Sequence, residues 1–303
     1  MNAFKRLKNI TSRPDFLPLV FVFFFVWLAA KPLFGSGYFN MHDDLQMMRQ
    51  LEMEKCFLDG QIPCRWVPDM GYGFGYPLFN FYPPLPYVVG QVFRVVGYSY
   101  MDTAKALFIV AFLLSGISMY FFGKRFFGRL GGALAAVFYV WAPYHSVDIY
   151  VRGAMNESWG LIWFPFILLF SYELISRIQK GQKLFANGKY IIFLALSWAA
   201  LLLSHNLMVI VFTPFFALWS ALWLVYFKNW KVIPSLALSG VWAFGFAAFF
   251  TLPVFLEKNI VQTDTLVRGY YEYTAHFPSA SQLLFSRFWG YGPSVWMTQD
   301  DKM

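Results

Sequence analysis

A chain of 303 residues that is 58% hydrophobic, 22% aromatic and only 13% charged is far from a soluble domain, in which roughly 25% of residues carry charge. Several apolar runs reach the ~17 to 25 residues that cross a bilayer, which excludes a soluble globule and predicts an all-α, polytopic bundle of about seven spans. The formal charge of +8 does not describe a nucleic-acid surface, because the bases cluster beside apolar runs: Lys5, Arg6, Lys8 and Arg13; Lys124, Arg125 and Arg129; Arg177, Lys180, Lys183 and Lys189; Lys228 and Lys231. Such short clusters mark the cytoplasmic side of spans, so no nucleic-acid partner is expected.

The first run, Phe16 to Phe34, is too long for the apolar part of a signal peptide and no small-residue cleavage site follows it. It is expected to remain as an anchor in a bacterial-type plasma membrane, with the N-terminus cytoplasmic and residues 35–103 outside. Between Gly35 and Leu78 this segment carries six acids (Asp43, Asp44, Glu52, Glu54, Asp59, Asp69) against three bases (Arg49, Lys55, Arg65). Leu45, Met48, Leu51 and Leu58 recur at helical spacing there, predicting a short amphipathic helix on the membrane surface with Asp43 or Asp44 at its start.

Tyr87 to Val96 is broken at its start by Pro83, Pro84 and Pro86 and at its end by Arg94, so it is expected to be juxtamembrane. That choice keeps every basic turn inside, whereas a span here would put Lys124 and Arg125 outside. Six further spans fill 104–255: Ala104 to Phe122, Leu130 to Tyr144, Trp159 to Ile175, Tyr190 to Leu203, Leu207 to Phe227 and Val232 to Phe255. On this topology 14 of the 16 acids lie outside, the exceptions being Asp15 and Glu173. Residues 256–303 are expected outside, with Tyr270-Tyr271-Glu272-Tyr273 and Phe288-Trp289-Gly290-Tyr291-Gly292. No returning helix follows, which suggests one membrane domain at the N-terminal end of a longer protein.

Polar chemistry concentrates in a few places. His42-Asp43-Asp44 sits just past the first span, where an acid caps a helix, acts as general base toward a hydroxyl, or holds a divalent cation such as Mg or Mn through oxygen. His145, Asp148, Tyr150, Arg152, Asn156 and Glu157 form a second cluster; Arg152 and Glu157 either pair with each other or offer a phosphate-binding fork and a second acid. Asp43, Asp44 and Glu157 are the metal ligands if a metal is bound. Ser204-His205-Asn206 interrupts an apolar stretch and is either a turn or a substrate contact.

Lys258, beside Glu257, and Arg268 are weaker phosphate candidates, for which surface ion pairing is the simpler reading. Gly71, Gly73 and Gly75 do not form a nucleotide loop, since no strand precedes them; they allow tight turns that present Tyr72, Phe74 and Tyr76 to a sugar or to the membrane. Cys56 and Cys64, the only cysteines, are close enough in sequence for a disulfide without requiring one. No CxxC, paired-His or GxSxG pattern supports a zinc or serine hydrolase.

The N-terminal span, the acidic doublet, Pro83-Pro84-Leu85 and the turn Gly123-Lys124-Arg125-Phe126-Phe127-Gly128 together resemble the polytopic GT-C class of glycosyltransferases. More closely, His42-Asp43-Asp44, Gly60-Gln61-Ile62-Pro63, Arg65-Trp66, Gly71-Tyr72-Gly73, Phe81-Tyr82-Pro83-Pro84, Arg152-Gly153-Ala154, Ser204-His205-Asn206 and Trp289-Gly290-Tyr291-Gly292 resemble bacterial membrane proteins labelled as related to 6-pyruvoyl-tetrahydropterin synthase. The GT-C resemblance implies a sugar donor on a polyprenyl phosphate, membrane lipids as partners, and transfer on the outer face. On it, Asp43 or Asp44 would activate the acceptor, with Glu157 in support; Arg152, His205 or Lys258 would neutralise the leaving phosphate, and His42, Arg65 and Tyr82 would contact substrate. The rival readings are a transporter or flippase for lipid-linked saccharides and a non-catalytic assembly protein. A transporter keeps ionisable groups near mid-bilayer, whereas among the acids only Glu173 falls inside a predicted span.

Overall fold

The computed structural model describes residues 14–179 and 188–262. The basic N-terminal cluster, Lys180, Lys183, and everything from residue 263 onward, Arg268 and the aromatic motifs included, lie outside the described residues. Helix α1, Phe16–Ala30, runs into a 3-10 turn, Lys31–Phe34. The loop that follows carries α2 (Gln46–Leu58), α3 (Leu78–Phe81) and α4 (Leu85–Val95). Then come α5 (Tyr100–Val140), the short α6 (Pro143–Ser146), a π-helical turn (Val147–Arg152), α7 (Met155–Gln179), α8 (Gly188–Ser204), α9 (Asn206–Phe227), α10 (Ile233–Phe246) and α11 (Ala248–Glu257). Among the described residues the only β pairing is one isolated bridge, Val67 with Tyr76.

Among the described residues four helices are long and apolar enough to cross a membrane: Phe16–Phe34, Tyr100–Val140, Met155–Arg177 and Asn206–Phe227. A fifth is added if Trp230–Phe246 and Ala248–Ile260 count as one broken span. The longest, α5, is itself a hairpin. Gly128 takes φ 72° and ψ −174°, a left-handed backbone that a side chain resists, and the chain folds back there. A Cβ on Gly123 would lie 2.9 Å from the Ala135 Cβ, and one on Gly132 only 2.7 Å from the Tyr120 carbonyl oxygen. The two arms therefore touch backbone to backbone, a contact only glycine permits. They contain the expected spans Ala104 to Phe122 and Leu130 to Tyr144, although the second arm stops at Val140, just short of Pro143.

Val232 to Phe255 does not run straight as expected: it bends by 78° between α10 and α11. Beyond the bend α11 lies against α3, where the Asn80 side-chain amide donates to Glu257. Helix α7 is the hub of the bundle, with 72% of its apolar window buried, against 22% for Phe16–Phe34 and 17% for α9. One core joins α1, α5 and α7 through Phe108, Phe112, Tyr120, Trp159 and Ile162. A second joins α7, α8 and α9 through Ile167, Leu174, Leu201 and Phe212. The outer helices thus keep apolar surface for lipid.

Asp15 and Glu173, the two acids that broke the predicted segregation, are both neutralised at the hairpin end of the bundle. Asp15 pairs with Lys124 (2.6 Å) and Arg129 (3.3 Å), and Glu173 pairs with Arg177 (2.6 Å) and Arg125.

In the first loop, α2 departs from expectation at its start. Its N-cap is Leu45 and no side chain caps it, so neither Asp43 nor Asp44 has that role. Its buried face is polar: Gln46, Arg49, Gln50 and Glu52 are enclosed with Met53 and Cys56, while Leu45 and Leu58 are exposed. Of the apolar residues that announced the helix, Leu45 and Leu58 face outward while Met48 and Leu51 are half-buried, and the polar stripe packs inward. Helix α4 has 11 residues, a rise of about 16 Å, short of the ~30 Å hydrocarbon core, in keeping with a juxtamembrane helix.

Cys56 and Cys64 are joined by a disulfide with Cα atoms 5.4 Å apart, inside a small core with Met53, Val67, Phe79 and Tyr87. Gly75, at φ +87°, leaves no room for a Cβ beside the Trp66 ring, and Tyr72 and Phe74 stand exposed on the turn. Closing a loop this short with a disulfide stabilises by about 2 to 3 kcal/mol in the chain-entropy treatment. Cys64→Ala is therefore expected to speed proteolysis between Asp59 and Tyr76 while leaving the spans intact, as limited digestion in detergent would show.

Candidate functional site

The site begins with an irregularity. From Val147 to Arg152 the helix widens to π geometry, a form that recurs at functional positions, and ends at Gly153 in the left-handed conformation with φ 64°. The widened turn carries Asp148 inward, fully buried, and leaves Arg152 at the rim. Arg152 Nη1 donates to Asp148 Oδ1 (2.7 Å) and to Glu157 Oε2 (2.8 Å), the latter from the first turn of α7. Tyr144 donates its hydroxyl proton to Glu157 Oε1 and accepts from Arg152 Nη1 at 3.2 Å.

The first loop docks onto this turn through its backbone. The His42 N–H donates to the Val151 carbonyl (2.9 Å) and the Asp43 N–H to the Arg152 carbonyl (2.7 Å). Gln46 Nε2 reaches the Gly153 carbonyl at 2.6 Å, and Tyr87 in turn donates to Gln46 Oε1 at 2.6 Å. Arg49 Nη1 donates to Asp43 Oδ2 (2.7 Å), and its guanidinium lies 4.4 Å from the Tyr82 ring centre. Asn156 Nδ2 holds the Pro83 carbonyl at 2.6 Å. From the α8–α9 junction, His205 caps α9, its Nδ1 accepting the Met208 N–H at 3.2 Å. An Nδ1 that accepts leaves Nε2 as the protonated nitrogen of a neutral ring.

These elements enclose a cavity of about 160 Å³ lined by His42, Asp43, Tyr82, Arg152, Ala154, Asn156, Glu157 and His205. Segments distant in sequence thus bring their polar groups to one place. Burial lowers the His205 pKa, with Arg152 acting in the same direction and Glu157 against it, so the ring is kept neutral. Burial, then repulsion from Glu157, raises the Asp148 carboxyl above the usual carboxylate range despite Arg152. Its Oδ2 has no hydrogen-bond partner among the described residues, which suits a carboxyl that keeps its proton. Burial pushes His145 down to about 4, and its ring packs between Phe112 and Tyr139 away from the cavity, so it serves the core.

Three predicted site residues lie elsewhere. Asp44 is exposed and outside the cavity lining. Arg65 faces a separate groove with Glu257 and reaches the Phe249 carbonyl at 3.5 Å. Lys258 is exposed on a 3-10 turn after α11. The expected cation set Asp43, Asp44 and Glu157 is not assembled, and among the described residues no three His, Cys, Asp or Glu side chains converge as metal ligands. The donor set itself is unsuited: both Glu157 oxygens are bonded, to Tyr144 and Arg152, and Asp43 Oδ2 is held by Arg49. Positive charge at the cavity comes from Arg152.

Gln46, Arg49 and Tyr87 were not foreseen. The visible signal was polar residues at positions 46, 49 and 50 in step with Met53 and Cys56, the spacing of a single buried helix face.

Comparison with known proteins places the chain. The family described as 6-pyruvoyl-tetrahydropterin synthase related domain, membrane protein, matches residues 79–299. The chain belongs to that family. Within this membrane family the matched segment includes Tyr82, Arg152, Asn156, Glu157 and His205, while His42 and Asp43 precede it. An uncharacterized protein of Lactococcus lactis subsp. cremoris (strain MG1363) is 25% identical over 249 residues, which cover 78% of this chain and 39% of the relative. The chain thus spans about two fifths of that relative's length, at 39%. No solved structure matches.

Gly153 tests the docking. A Cβ there would lie 2.7 Å from the Asp43 carbonyl oxygen and 2.2 Å from the Met41 sulfur, at a φ that side chains resist. Gly153→Ala is expected to cost about 1 to 3 kcal/mol and to loosen the His42–Asp43 segment from the π turn. A lowered thermal midpoint together with faster amide exchange at positions 42 and 43 is the expected result.

Proposed function

We propose that this chain carries the catalytic end of a membrane glycosyltransferase that moves a sugar from a polyprenyl-phosphate donor to an acceptor outside the cytoplasm. The observation that supports this reading is a polar cavity in which a carboxylate, Asp43, faces the same small space as Arg152 and the neutral imidazole of His205. That is a base and two phosphate-directed donors at the loop end of an apolar bundle, where a lipid-linked headgroup would arrive.

In this reading an acceptor hydroxyl attacks the anomeric carbon while Asp43 takes its proton, and the bond from that carbon to the phosphate oxygen breaks. The electron pair leaves on the phosphate, where Arg152 and the His205 Nε2–H meet the developing charge. Asp43 suits the base because both bonds it accepts fall on Oδ2, leaving Oδ1 without a partner among the described residues. Glu157 and Asp148 act on Arg152: they share its Nη1 and hold the guanidinium in place. Tyr82, packed under Arg49, offers a ring for the sugar face. In this reading the base is Asp43, since Asp44 does not line the cavity.

The test is transfer from radiolabelled polyprenyl-phosphate sugars by membranes containing the full-length protein. Asp43→Asn is expected to lower turnover at least about 100-fold, the usual scale for losing a general base, while Asp44→Asn stays near wild type. Normal turnover in Asp43→Asn would exclude the assignment.

Orientation belongs to the same proposal: the basic turns, by the positive-inside tendency, support a cytoplasmic hairpin end. In intact cells a cysteine at position 125 is expected to resist a membrane-impermeant thiol reagent and one at position 42 to react. The reverse pattern would put the cavity on the cytoplasmic side.

A further inference from the structure

The hairpin end of the bundle holds a second cavity that the transfer reading does not use. It has a volume of about 570 Å³ and lies where the first arm of α5, the end of α7 and the start of α8 meet. Glu173 lies sixteen positions after Glu157 on α7, so this cavity is about 24 Å from the first along the helix. Its wall is apolar, with Phe121, Phe166 and Phe170, and its rim carries Lys124, Arg125 and Arg177 around Glu173.

Charge neutralisation alone does not account for the rim. Two carboxylates, Asp15 and Glu173, face four cations, Lys124, Arg125, Arg129 and Arg177, which leaves two positive charges in excess. Arg125 and Arg177 both bond Glu173 through Nε, and among the described residues their terminal nitrogens have no other hydrogen-bond partner. The guanidinium planes are set by aromatic rings: Arg125 lies 4.8 Å from the Tyr172 centre and Arg177 4.9 Å from that of Tyr190. Both side chains are about two-fifths exposed, at 41% and 40%. Two oriented forks beside an apolar trough match a phosphodiester with hydrocarbon chains attached.

We propose that this groove binds an acidic phospholipid, its phosphate bracketed by Arg125 and Arg177 and its acyl chains laid against Phe121, Phe166 and Phe170. Glu173 keeps the two guanidinia apart and in register, so that the site is preformed. Basic pockets between membrane helices recognise lipid headgroups on this physical basis. The site is independent of the transfer reading, because it shares no residue with the first cavity.

Native mass spectrometry of the full chain in detergent, titrated separately with phosphatidylglycerol and phosphatidylcholine, tests the proposal. Wild type is expected to retain phosphatidylglycerol at least about fivefold better, and the triple variant Arg125→Gln, Glu173→Gln, Arg177→Gln to lose that preference. The triple variant removes both forks without stranding a buried carboxylate. Arg129→Gln, which changes a base outside the groove, is expected to keep the preference, and excess inorganic phosphate is expected to leave the bound lipid in place. A preference that survives in the triple variant, or that falls equally in Arg129→Gln, would overturn the site. Displacement of the lipid by inorganic phosphate would identify a free-anion site and overturn the lipid assignment.

Discussion

Everything at the loop end of this protein depends on a short backbone contact, the pairing of His42 and Asp43 with Val151 and Arg152. The contact exists because the π turn ends in Gly153, whose missing side chain lets Met41 and Asp43 approach. Gln46 then closes the seam by bonding the Gly153 carbonyl. Without that approach Asp43 would be a loop acid in water and Arg152 a rim arginine paired with its own neighbours. With it, a carboxylate and a cation from segments over a hundred residues apart share one cavity.

The energetic problem at the site is the burial of charge. Asp148, Glu157 and Arg152 form a compact group in which two acids compete for a single Nη1, and burial with mutual repulsion keeps Asp148 toward its protonated form. A group of this kind contributes little to stability, because desolvation offsets most of the attraction. Its effect is to hold the Arg152 fork in place. Arg49 has the corresponding part for Asp43, clamped between that carboxylate and the Tyr82 ring. Asp43 and Arg152 are thus each held from behind by partners that are largely buried.

The two ends of the bundle use arginine differently. At the loop end Arg152 is shared by two acids of its own neighbourhood. At the hairpin end two arginines divide one glutamate, so positive charge is left over beside apolar rings. Helix α7 links these ends as the most enclosed helix of the bundle and carries Glu157 at its start and Glu173 near its close.

Much of the architecture was legible in the residues because lipid leaves few alternatives. Apolar runs of spanning length, basic turns and prolines located the helices, and the wish of every backbone group for a partner requires helices there. The cluster of candidate residues was legible too, since polar groups beside apolar runs stand out: His42, Asp43, Tyr82, Arg152, Glu157 and His205 all line one cavity. What only the tertiary structure decided is which of them meet. The π turn and the 78° bend before α11 are set by packing between distant segments, and local periodicity carries no trace of them. The apolar spacing of Leu45, Met48, Leu51 and Leu58 located α2, while its inward face is the polar one, because in a membrane protein apolar residues have lipid as well as protein to turn toward. Asp44 differs from Asp43 by a single position, and only the docked backbone determines that Asp43 faces the cavity and Asp44 does not.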